Sequence, residues 1–341
     1  MEKIGEGGGM SDVEQLQAFN AIRGYLSAGD QQDLAHKLNL DMAKLDNRLG
    51  GLKNEDEFCL IMYFLDTCKH MIRFDEGVSV LTGSYQPDML IKLNNNVQFF
   101  VEIKSVAEDT FKISGGNLKK RIDFADELGY PLYFAVRLRG YWTLFPSQYL
   151  RSKSGKLVFS DDIEQSEFND KFGSQYYMFR KGVKIESVYS RIKGPIGGIQ
   201  NIDHGNLISY KLMFKGKVIL QANEGDESKI GYSLILENLQ DVMSIQSQII
   251  TAVDSDKTLV TEELVEDVVS CDYFFFMSPI KHTVHDLGFM YDTTTFFKNF
   301  LAERKQMLTK NMVEAVLSEL KAKGMPIDIT KSLRLQKPKT A

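Results

Sequence analysis

Cysteine is scarce in this chain of 341 residues, which contains three of them: Cys59, Cys68 and Cys271. None of the three forms a Cys-x-x-Cys pair, and their spacing does not suggest a disulfide framework. We therefore expect a reducing, cytoplasmic environment.

Long apolar runs are also absent. No run of about 18 apolar residues free of charge occurs, so we expect no transmembrane helix and no membrane partner. The opening segment MEKIGEGGGMSDVEQ lacks the apolar core of a secretory signal, and we expect a flexible lead there. No internal repeat is visible, and the short glycine-rich lead is the one low-complexity stretch.

The composition that is present is typical of a globular protein, with 43% hydrophobic and 26% charged residues, and the length favours two domains. A net charge of -5 does not by itself suggest a nucleic-acid-binding protein. The charges are unevenly spread, however: residues 171–217 (the basic block) hold nine Lys and Arg against two acids, and residues 223–272 (the acidic segment) hold twelve acids against two lysines. Residues 298–339 are basic again, ten against four. This pattern favours a charged interaction surface, with chance variation between surface faces as the alternative.

Hydrophobic periodicity predicts a helix, three strands, a helix and two strands within residues 54–146. The first helix is expected to open at Asn54, after a polar helical segment broken at Gly50-Gly51, and the second to end at Gly129. The strands are predicted, in order, at VSVLTG, PDMLIKL, VQFFVEIKS, PLYFAVRL and YWTLFP.

The second half reads as a separate α+β domain. Strands are predicted over QYYMFRKGVKIESVYSRI and LISYKLMFKGKVILQA, and helices over SLILENLQDVMSIQSQIITAV and FFKNFLAERKQMLTKNMVEAVLSELKAKG. The predicted division is a helical segment at 1–52, an α/β core at 53–148 and a C-terminal α+β domain at 149–341.

One group of charged residues lies on predicted apolar strands, where hydrophobic packing does not account for charged side chains. Asp88 follows Pro87 at the start of one strand, and Glu102 and Lys104 end the apolar run of the next. Residues i and i+2 of a strand share a face, and the intervening Asn94–Asn96 turn would bring Asp88 alongside them. Acids and lysines in such a place are rare unless they are paired or hold a metal.

Pro87-Asp88 followed by Glu102-Ile103-Lys104 resembles the PD-(D/E)xK nuclease superfamily, which includes many restriction enzymes, Holliday-junction resolvases and repair nucleases. The resemblance covers about residues 54–146. It implies a restriction-endonuclease-like fold, a mixed sheet flanked by helices. In that superfamily acids bind Mg²⁺ or Mn²⁺, and the lysine positions or activates the attacking water. The resemblance therefore implies a metal site formed by Asp88, Glu102 and the backbone carbonyl of Ile103, with Lys104 as the catalytic lysine.

Further site residues are implied by the same resemblance. Many members add an acid from the first helix, for which Glu57 is the candidate; its alternative role is helix capping with Asn54, and Glu55 is the fallback ligand. The helix after the site commonly presents a polar or basic residue to phosphate, and here Lys120 or Arg121 is suitably placed, with a merely solvated role as the alternative. A Gln-x-x-x-Tyr signature is absent from this helix, which argues against a processive exonuclease.

The basic block is the second candidate nucleic-acid surface. Its aromatic residues either stack on nucleic acid or, as is common for strands, face a core. The acidic segment is a candidate shield, partner site or dimer face. The predicted contacts are Arg180, Lys181, Arg191 and Lys193, interleaved with Tyr176, Tyr177, Phe179, Tyr189 and Tyr210.

Other motifs are weaker. His282 and His285 in KHTVHD suggest a metal cluster, but surface or structural roles are favoured, and His204 is expected in a turn. The Gly194–Gly198 stretch lacks the GK[ST] ending of a P-loop.

These features predict a two-domain, Mg²⁺-dependent endonuclease that hydrolyses DNA phosphodiester bonds, with restriction or anti-phage defence as the expected role. The alternatives are a resolvase-like recombination or repair nuclease, an RNA-directed nuclease, and a nuclease-fold assembly subunit without its own activity. Cleavage of both duplex strands needs two centres, so a homodimer is expected. A regulatory protein partner is also anticipated, because an unregulated nuclease would be toxic.

Overall fold

A computed structural model describes residues 19, 27–38, 42–74, 86–194, 200–201, 203–223, 226, 232, 239, 243, 246–275 and 309–331. These residues divide into two compact units, with the break between Gly173 and Ser174. The predicted boundary at 148/149 falls inside the first unit. The reason is aromatic packing: Phe168 and Phe172 both contact Phe58, at 6.5 and 6.1 Å between ring centroids.

The first unit is built around a five-stranded mixed sheet with the order β1-β2-β3-β5-β6, in which β3 and β5 are parallel and the other neighbours antiparallel. A second pair, β4 and β7, is antiparallel. The elements are α1 (Ala28–Lys37), α2 (Met42–Leu65), β1 (Cys68–Arg73), β2 (Met89–Leu93), β3 (Gln98–Val106), β4 (Thr110–Lys112), α3 (Gly115–Leu128), β5 (Leu132–Leu138), β6 (Tyr141–Pro146), α4 (Ser147–Ser152), β7 (Lys156–Val158), α5 (Phe159–Asp162), a 3₁₀ turn (Ile163–Gln165) and α6 (Phe168–Phe172).

The two faces of this sheet are covered by different helices. Phe99 of β3 contacts Phe172 of α6, which in turn packs on Phe58 of α2. Its neighbour Phe100 points to the opposite face and contacts Phe124 of α3, at 5.7 Å between ring centroids. The alternation of β3 therefore places Glu102 and Lys104 on the α3 face, as the period of two requires. The predicted mixed sheet flanked by helices is confirmed.

Two predicted boundaries before the site are wrong. The break at Gly50-Gly51 does not occur, because α2 runs without interruption from Met42 to Leu65, and Asn54 lies inside this helix instead of capping it. Glycine costs a helix only about 1 kcal/mol relative to alanine, which neighbouring good helix formers can offset.

The first strand also differs from the prediction. The sequence NEDEFCLIMYFLDTCKHMI predicts a helix over residues 54–72, but the helix ends at Leu65, Asp66 takes a positive φ of 54°, and β1 follows at Cys68–Arg73. The VSVLTG run lies outside the described residues. From β2 onward the predicted order agrees with the structure, including the C-terminal Gly129 of α3 with its left-handed φ of 74°.

The second unit contains a six-stranded antiparallel sheet with the order β10-β11-β9-β14-β13, in which β12 pairs with β11. A three-stranded sheet has the order β15-β8-β16. The elements are β8 (Tyr176–Phe179), β9 (Val183–Ser190), β10 (Gln200–Asn201), β11 (Gly205–Phe214), β12 (Lys217–Asn223), β13 (Gln248–Ala252), β14 (Lys257–Glu263), β15 (Val268–Cys271), α7 (Lys310–Ala322) and β16 (Ile327–Thr330).

Most of the predicted strands of this unit are present, but one predicted helix is not continuous. A helix is predicted over residues 233–253, but residues 248–252 form the edge strand β13, where β-branched Ile249, Ile250 and Thr251 favour an extended backbone. The last helix is present in its described part as α7 and ends before Gly324.

Two simpler features concern the whole described chain. The three cysteines are free thiols. No helix in the described part of the chain has both the length and the apolar character needed to cross a bilayer.

Candidate active site

The β2–β3 hairpin brings Asp88 to Glu102. The turn at Asn94–Asn96, with Asn96 at a φ of 66°, sets a register in which Met89 pairs with Val101. Asp88, one residue before Met89, therefore lies beside Glu102. The Asp88 carboxylate also accepts a hydrogen bond from the Ile103 amide, with 2.5 Å between nitrogen and Oδ2. This bond fixes the acid at the point where β2 begins.

Lys104 joins the two acids into one cluster. Its Nζ lies 2.7 Å from Oε1 of Glu102 and 3.6 Å from Oδ2 of Asp88. The Glu102 side chain is 1% exposed, whereas that of Lys104 is 35% exposed. The structure therefore brings together Asp88, Glu102, Ile103 and Lys104, with the lysine open to solvent and the glutamate beneath it.

The burial and charges of the cluster shift two of its pKa values. Burial raises the pKa of Glu102, and the Asp88 carboxylate raises it further, while Lys104 and Arg121 act in the opposite direction. Burial alone would lower the pKa of Lys104, but the carboxylates of Asp88 and Glu102 outweigh it and raise that pKa above its ordinary value. The lysine is thus held as an ammonium by two acids.

Arg121 of α3 is a fourth charged member of this cluster. Its Nε lies 2.7 Å from Oε1 of Glu102, and its side chain is 15% exposed. The sequence drew attention to this residue only as a phosphate contact. Lys120, the other residue proposed for that role, is exposed on α3. A long-range ion pair of this kind has no local sequence signal, because it depends on how α3 crosses β3.

The donor set of the cluster fits a hard divalent cation. Both carboxylate oxygens of Glu102 are buried without a regular hydrogen bond among the described residues, and Oε1 forms ion pairs with Lys104 and Arg121, which leaves Oε2 for a metal. The Ile103 carbonyl points to the same side of β3 as its amide, and therefore toward Asp88. Two carboxylates and a carbonyl are ligands that Mg²⁺ accepts while keeping several waters. No set of three or more His, Cys, Asp or Glu side chains suited to a metal occurs among the described residues.

The structure does not bring Glu57 to this cluster. Its carboxylate lies 3.2 Å from a guanidinium nitrogen of Arg137 and 3.3 Å from the indole nitrogen of Trp142. The register of β3, β5 and β6 places Arg137 and Trp142 on the α2 face, opposite Glu102. Glu57 is therefore a member of a different ion pair.

The fallback acid, Glu55, is also engaged elsewhere. It pairs with Arg73 of β1 at 2.6 Å, and the adjacent Asp56 pairs with the same arginine at 2.7 Å. Neither the capping role of Glu57 with Asn54 nor a ligand role of Glu55 appears in these contacts.

The proposed contacts of the basic block have mixed surroundings. Arg180 is paired with Asp267 at 2.9 Å and with Asp328, and the amide of Lys181 donates to Asp267. Arg191 donates to the backbone carbonyl of Asp203, while Lys193 is exposed.

The aromatic residues interleaved with this block face the interior of their unit. All five are buried, with exposed fractions of 5% or less: Tyr176, Tyr177, Phe179, Tyr189 and Tyr210. These aromatic residues therefore face a core, which is the second of the two predicted roles, and they provide no surface for stacking on nucleic acid. His204 lies in the expected turn, while His282 and His285 lie outside the described residues.

The first unit is similar to proteins of known family. Residues 54–176 match the family model of Hjc, the archaeal Holliday junction resolvase. Among solved structures, Archaeoglobus fulgidus Hjc, a Holliday junction resolvase from an archaeal hyperthermophile, is 24% identical over 32% of this chain and 89% of that chain, with a TM-score of 0.28. No curated protein matches.

The Hjc match includes the whole cluster around Asp88 and Glu102 and agrees with the PD-(D/E)xK resemblance drawn from those residues. It continues past Pro146, where the predicted resemblance ended, to Tyr176, close to the end of the first unit at Gly173. The restriction-endonuclease-like fold class is thereby confirmed. The second unit lies almost entirely outside the matched residues.

Proposed function

We propose that this chain is a metal-dependent DNA endonuclease of the resolvase type, which acts on branched DNA in recombination or repair. The observation that carries the proposal is the cluster of Asp88, Glu102 and Lys104, which lies within the residues that match the Hjc family. This role replaces restriction or anti-phage defence as the preferred function, because the match to the Hjc family model supports a resolvase-like role.

The chemistry we assign to the cluster is hydrolysis of a phosphodiester. Asp88, Glu102 and the Ile103 carbonyl would hold Mg²⁺ or Mn²⁺, which supplies Lewis-acid activation of water and of the phosphoryl group. Lys104 is the most exposed of the charged residues in the cluster, so its ammonium can meet a phosphate at the surface. It would orient the attacking water and compensate the negative charge that develops on the phosphoryl oxygens.

The proposed enzyme needs two active sites to act on a four-way junction. Resolution of a four-way junction requires cleavage of two strands, whereas the described residues of the first unit form one such cluster. We therefore propose a homodimer with one centre for each strand. Restriction-type cleavage of both strands of a duplex would need the same number of centres, so the substrate comparison below decides between them.

The test is cleavage of a four-way DNA junction, a duplex of the same sequence, single-stranded DNA and RNA, all at one salt concentration. Wild type, Asp88→Asn and Lys104→Ala are assayed with Mg²⁺, Mn²⁺ or EDTA. Asp126→Asn and Lys156→Ala are matched controls, because both residues are exposed and lie outside the cluster.

We expect wild type and both controls to cut the junction in either metal and not in EDTA. The two cluster variants should be slower by roughly 100-fold or more, the usual cost of losing an electrostatic group at a reacting centre. Cleavage by Lys104→Ala at the wild-type rate would refute the site. Preference for duplex DNA would favour the restriction role, and preference for RNA the RNA-directed alternative. Tight junction binding without cleavage would favour an assembly subunit.

A further inference from the structure

The position of Arg121 follows from how α3 crosses β3. Phe124 of α3 contacts Phe100 of β3, and Arg121, one turn earlier on the same helix face, contacts Glu102, two residues later on the strand. One helical turn and two strand residues cover similar distances, about 5 and 7 Å, so both contacts belong to one interface. Packing of the aromatic pair thus sets the place of the guanidinium.

The neighbouring basic residues of α3 are in a different environment. Lys119 is 74% exposed and pairs with Asp123, and Lys120 is exposed, whereas the Arg121 side chain is 15% exposed. Successive helical residues point about 100° apart, so these three cannot share one surface. Arg121 is the member that lies over the buried acid.

The ion pairs of Glu102 suggest what Arg121 does there. Neither carboxylate oxygen has a regular hydrogen bond among the described residues, but Arg121 Nε and Lys104 Nζ both form ion pairs with Oε1, each at 2.7 Å. We propose that Arg121 is a positioning residue, which holds Oε1 of Glu102 so that Oε2 faces the metal. This inference rests on the proposed metal-dependent function. The guanidinium would act on the ligand, as outer partners of metal ligands commonly do, and not on the substrate.

A phosphate contact is the competing role for Arg121, and the two roles predict different measurements. A phosphate contact contributes to DNA affinity without metal and adds to its salt dependence. A positioning residue changes metal affinity and leaves metal-free DNA affinity as it was. Lys120 is the matched control, because it carries the same charge on the adjacent helix position, is exposed, and points about 100° away from Arg121.

The experiment measures Mn²⁺ binding by calorimetry, and metal-free binding to a four-way DNA junction over a salt series. The proteins are full-length wild type, Asp88→Asn, Arg121→Met, Arg121→Lys and Lys120→Ala. Methionine keeps an apolar stem over the sheet while it removes the charge, which favours retention of the fold. Urea unfolding of each variant checks that it is folded under the conditions used.

For Arg121→Met we expect Mn²⁺ affinity to fall about tenfold, the lower end for loss of a group that orients a metal ligand. Its metal-free junction affinity should stay that of wild type. Arg121→Lys should recover part of the Mn²⁺ affinity, because it restores the charge without the Nε. Lys120→Ala should show the reverse pattern, with unchanged Mn²⁺ affinity and weaker junction binding.

Three results would overturn the inference. Unchanged Mn²⁺ affinity with weaker metal-free junction binding in Arg121→Met would identify a phosphate contact. Tighter Mn²⁺ binding in that variant would mean that the arginine competes with the metal. If wild type binds no Mn²⁺, or if Asp88→Asn binds Mn²⁺ as well as wild type does, the proposed metal-dependent function fails too. Should Arg121→Met not fold, Arg121→Lys decides: weaker Mn²⁺ binding supports the positioning role, and wild-type binding refutes it.

Discussion

Replacement of Glu57 tests whether this acid stabilises the fold or binds the metal. The resemblance to PD-(D/E)xK nucleases made Glu57 a candidate ligand, but its carboxylate meets Arg137 and Trp142 on the α2 face of the sheet. We therefore expect Glu57→Ala to reduce the free energy of unfolding and to leave Mn²⁺ affinity unchanged. A ligand would show the opposite pattern.

The magnitude follows from the two contacts that are lost. Trp142 is fully buried, so its indole N–H would be left without this acceptor, at a cost of roughly 1–3 kcal/mol. Glu57 and Arg137 are 18% and 24% exposed, so loss of their ion pair costs less than the roughly 3–5 kcal/mol of a fully buried pair. Both contacts are also long, at 3.3 and 3.2 Å. We expect a total loss of about 3 kcal/mol for Glu57→Ala, and about 1 kcal/mol for Glu57→Gln, which keeps an acceptor.

The assay combines urea unfolding at neutral pH with Mn²⁺ titration of the same proteins. Glu127→Gln is the matched control, because Glu127 is an exposed acid on α3, and neither quantity should change. A Glu57→Gln protein of wild-type stability whose Mn²⁺ affinity is about tenfold weaker would refute this reasoning, since that is the effect of disturbing a metal site. It would return Glu57 to the catalytic set.

Two further predictions concern the second unit. Burial raises the pKa of Asp272 to about 6, against hydrogen bonds from Ser174 and from backbone amides that favour the charged form. Because the folded state keeps this proton between about pH 4 and 6 while the unfolded state has lost it, stability from this group falls as pH rises through that interval, by roughly 3 kcal/mol. The free energy of unfolding of Asp272→Asn, measured in urea relative to that of wild type, should therefore be higher at pH 7.5 than at pH 4.5. The same difference at both pH values would contradict the raised pKa of Asp272. Arg180 is held between Asp267 and Asp328, so Arg180→Ala should leave the salt dependence of DNA binding unchanged and cost at most about 1 kcal/mol, while a salt slope reduced by about one would show a phosphate contact.

The central cluster could be predicted because its determinants are local. A two-residue period places Glu102 and Lys104 on one face, and a short Asn turn sets the pairing of the two strands. Once Met89 is paired with Val101, the position of Asp88 follows without knowledge of the rest of the fold. Sequence separation in this part of the site is small, so local rules suffice.

The place of Glu57 could not be predicted in the same way. The position of its side chain depends on the rotation of α2 over the sheet. The predicted ends of this helix are wrong, because the helix continues through Gly50-Gly51. A change of one helical residue turns a side chain by about 100°. Tertiary packing of Phe58 against Phe168 and Phe172 decides that rotation, and no pattern within the helix reports it.

The basic residues of the second unit show a related limit. The sequence shows the charge of the basic block, but the partners of Arg180 lie 87 and 148 residues away along the chain. An arginine between two acids has little net charge to offer a phosphate. Composition therefore identifies a charged segment without telling which of its charges are already compensated.

The burial of the Glu102 carboxylate has an energetic cost that bears on the function of this residue. Its side chain is 1% exposed on an apolar strand, where an ionised acid costs stability even when cations are close. Replacement of the whole group of Glu102, Lys104 and Arg121 by well-packed apolar side chains would be expected to cost little stability, since such replacement of buried ion pairs is often neutral or stabilising. Stability therefore gives no reason for this acid, whereas the proposed metal site would give one, since neither oxygen of Glu102 has a regular hydrogen bond among the described residues. The Glu57 ion pair lacks this property, because both its partners are more exposed and its oxygens accept from Arg137 and Trp142.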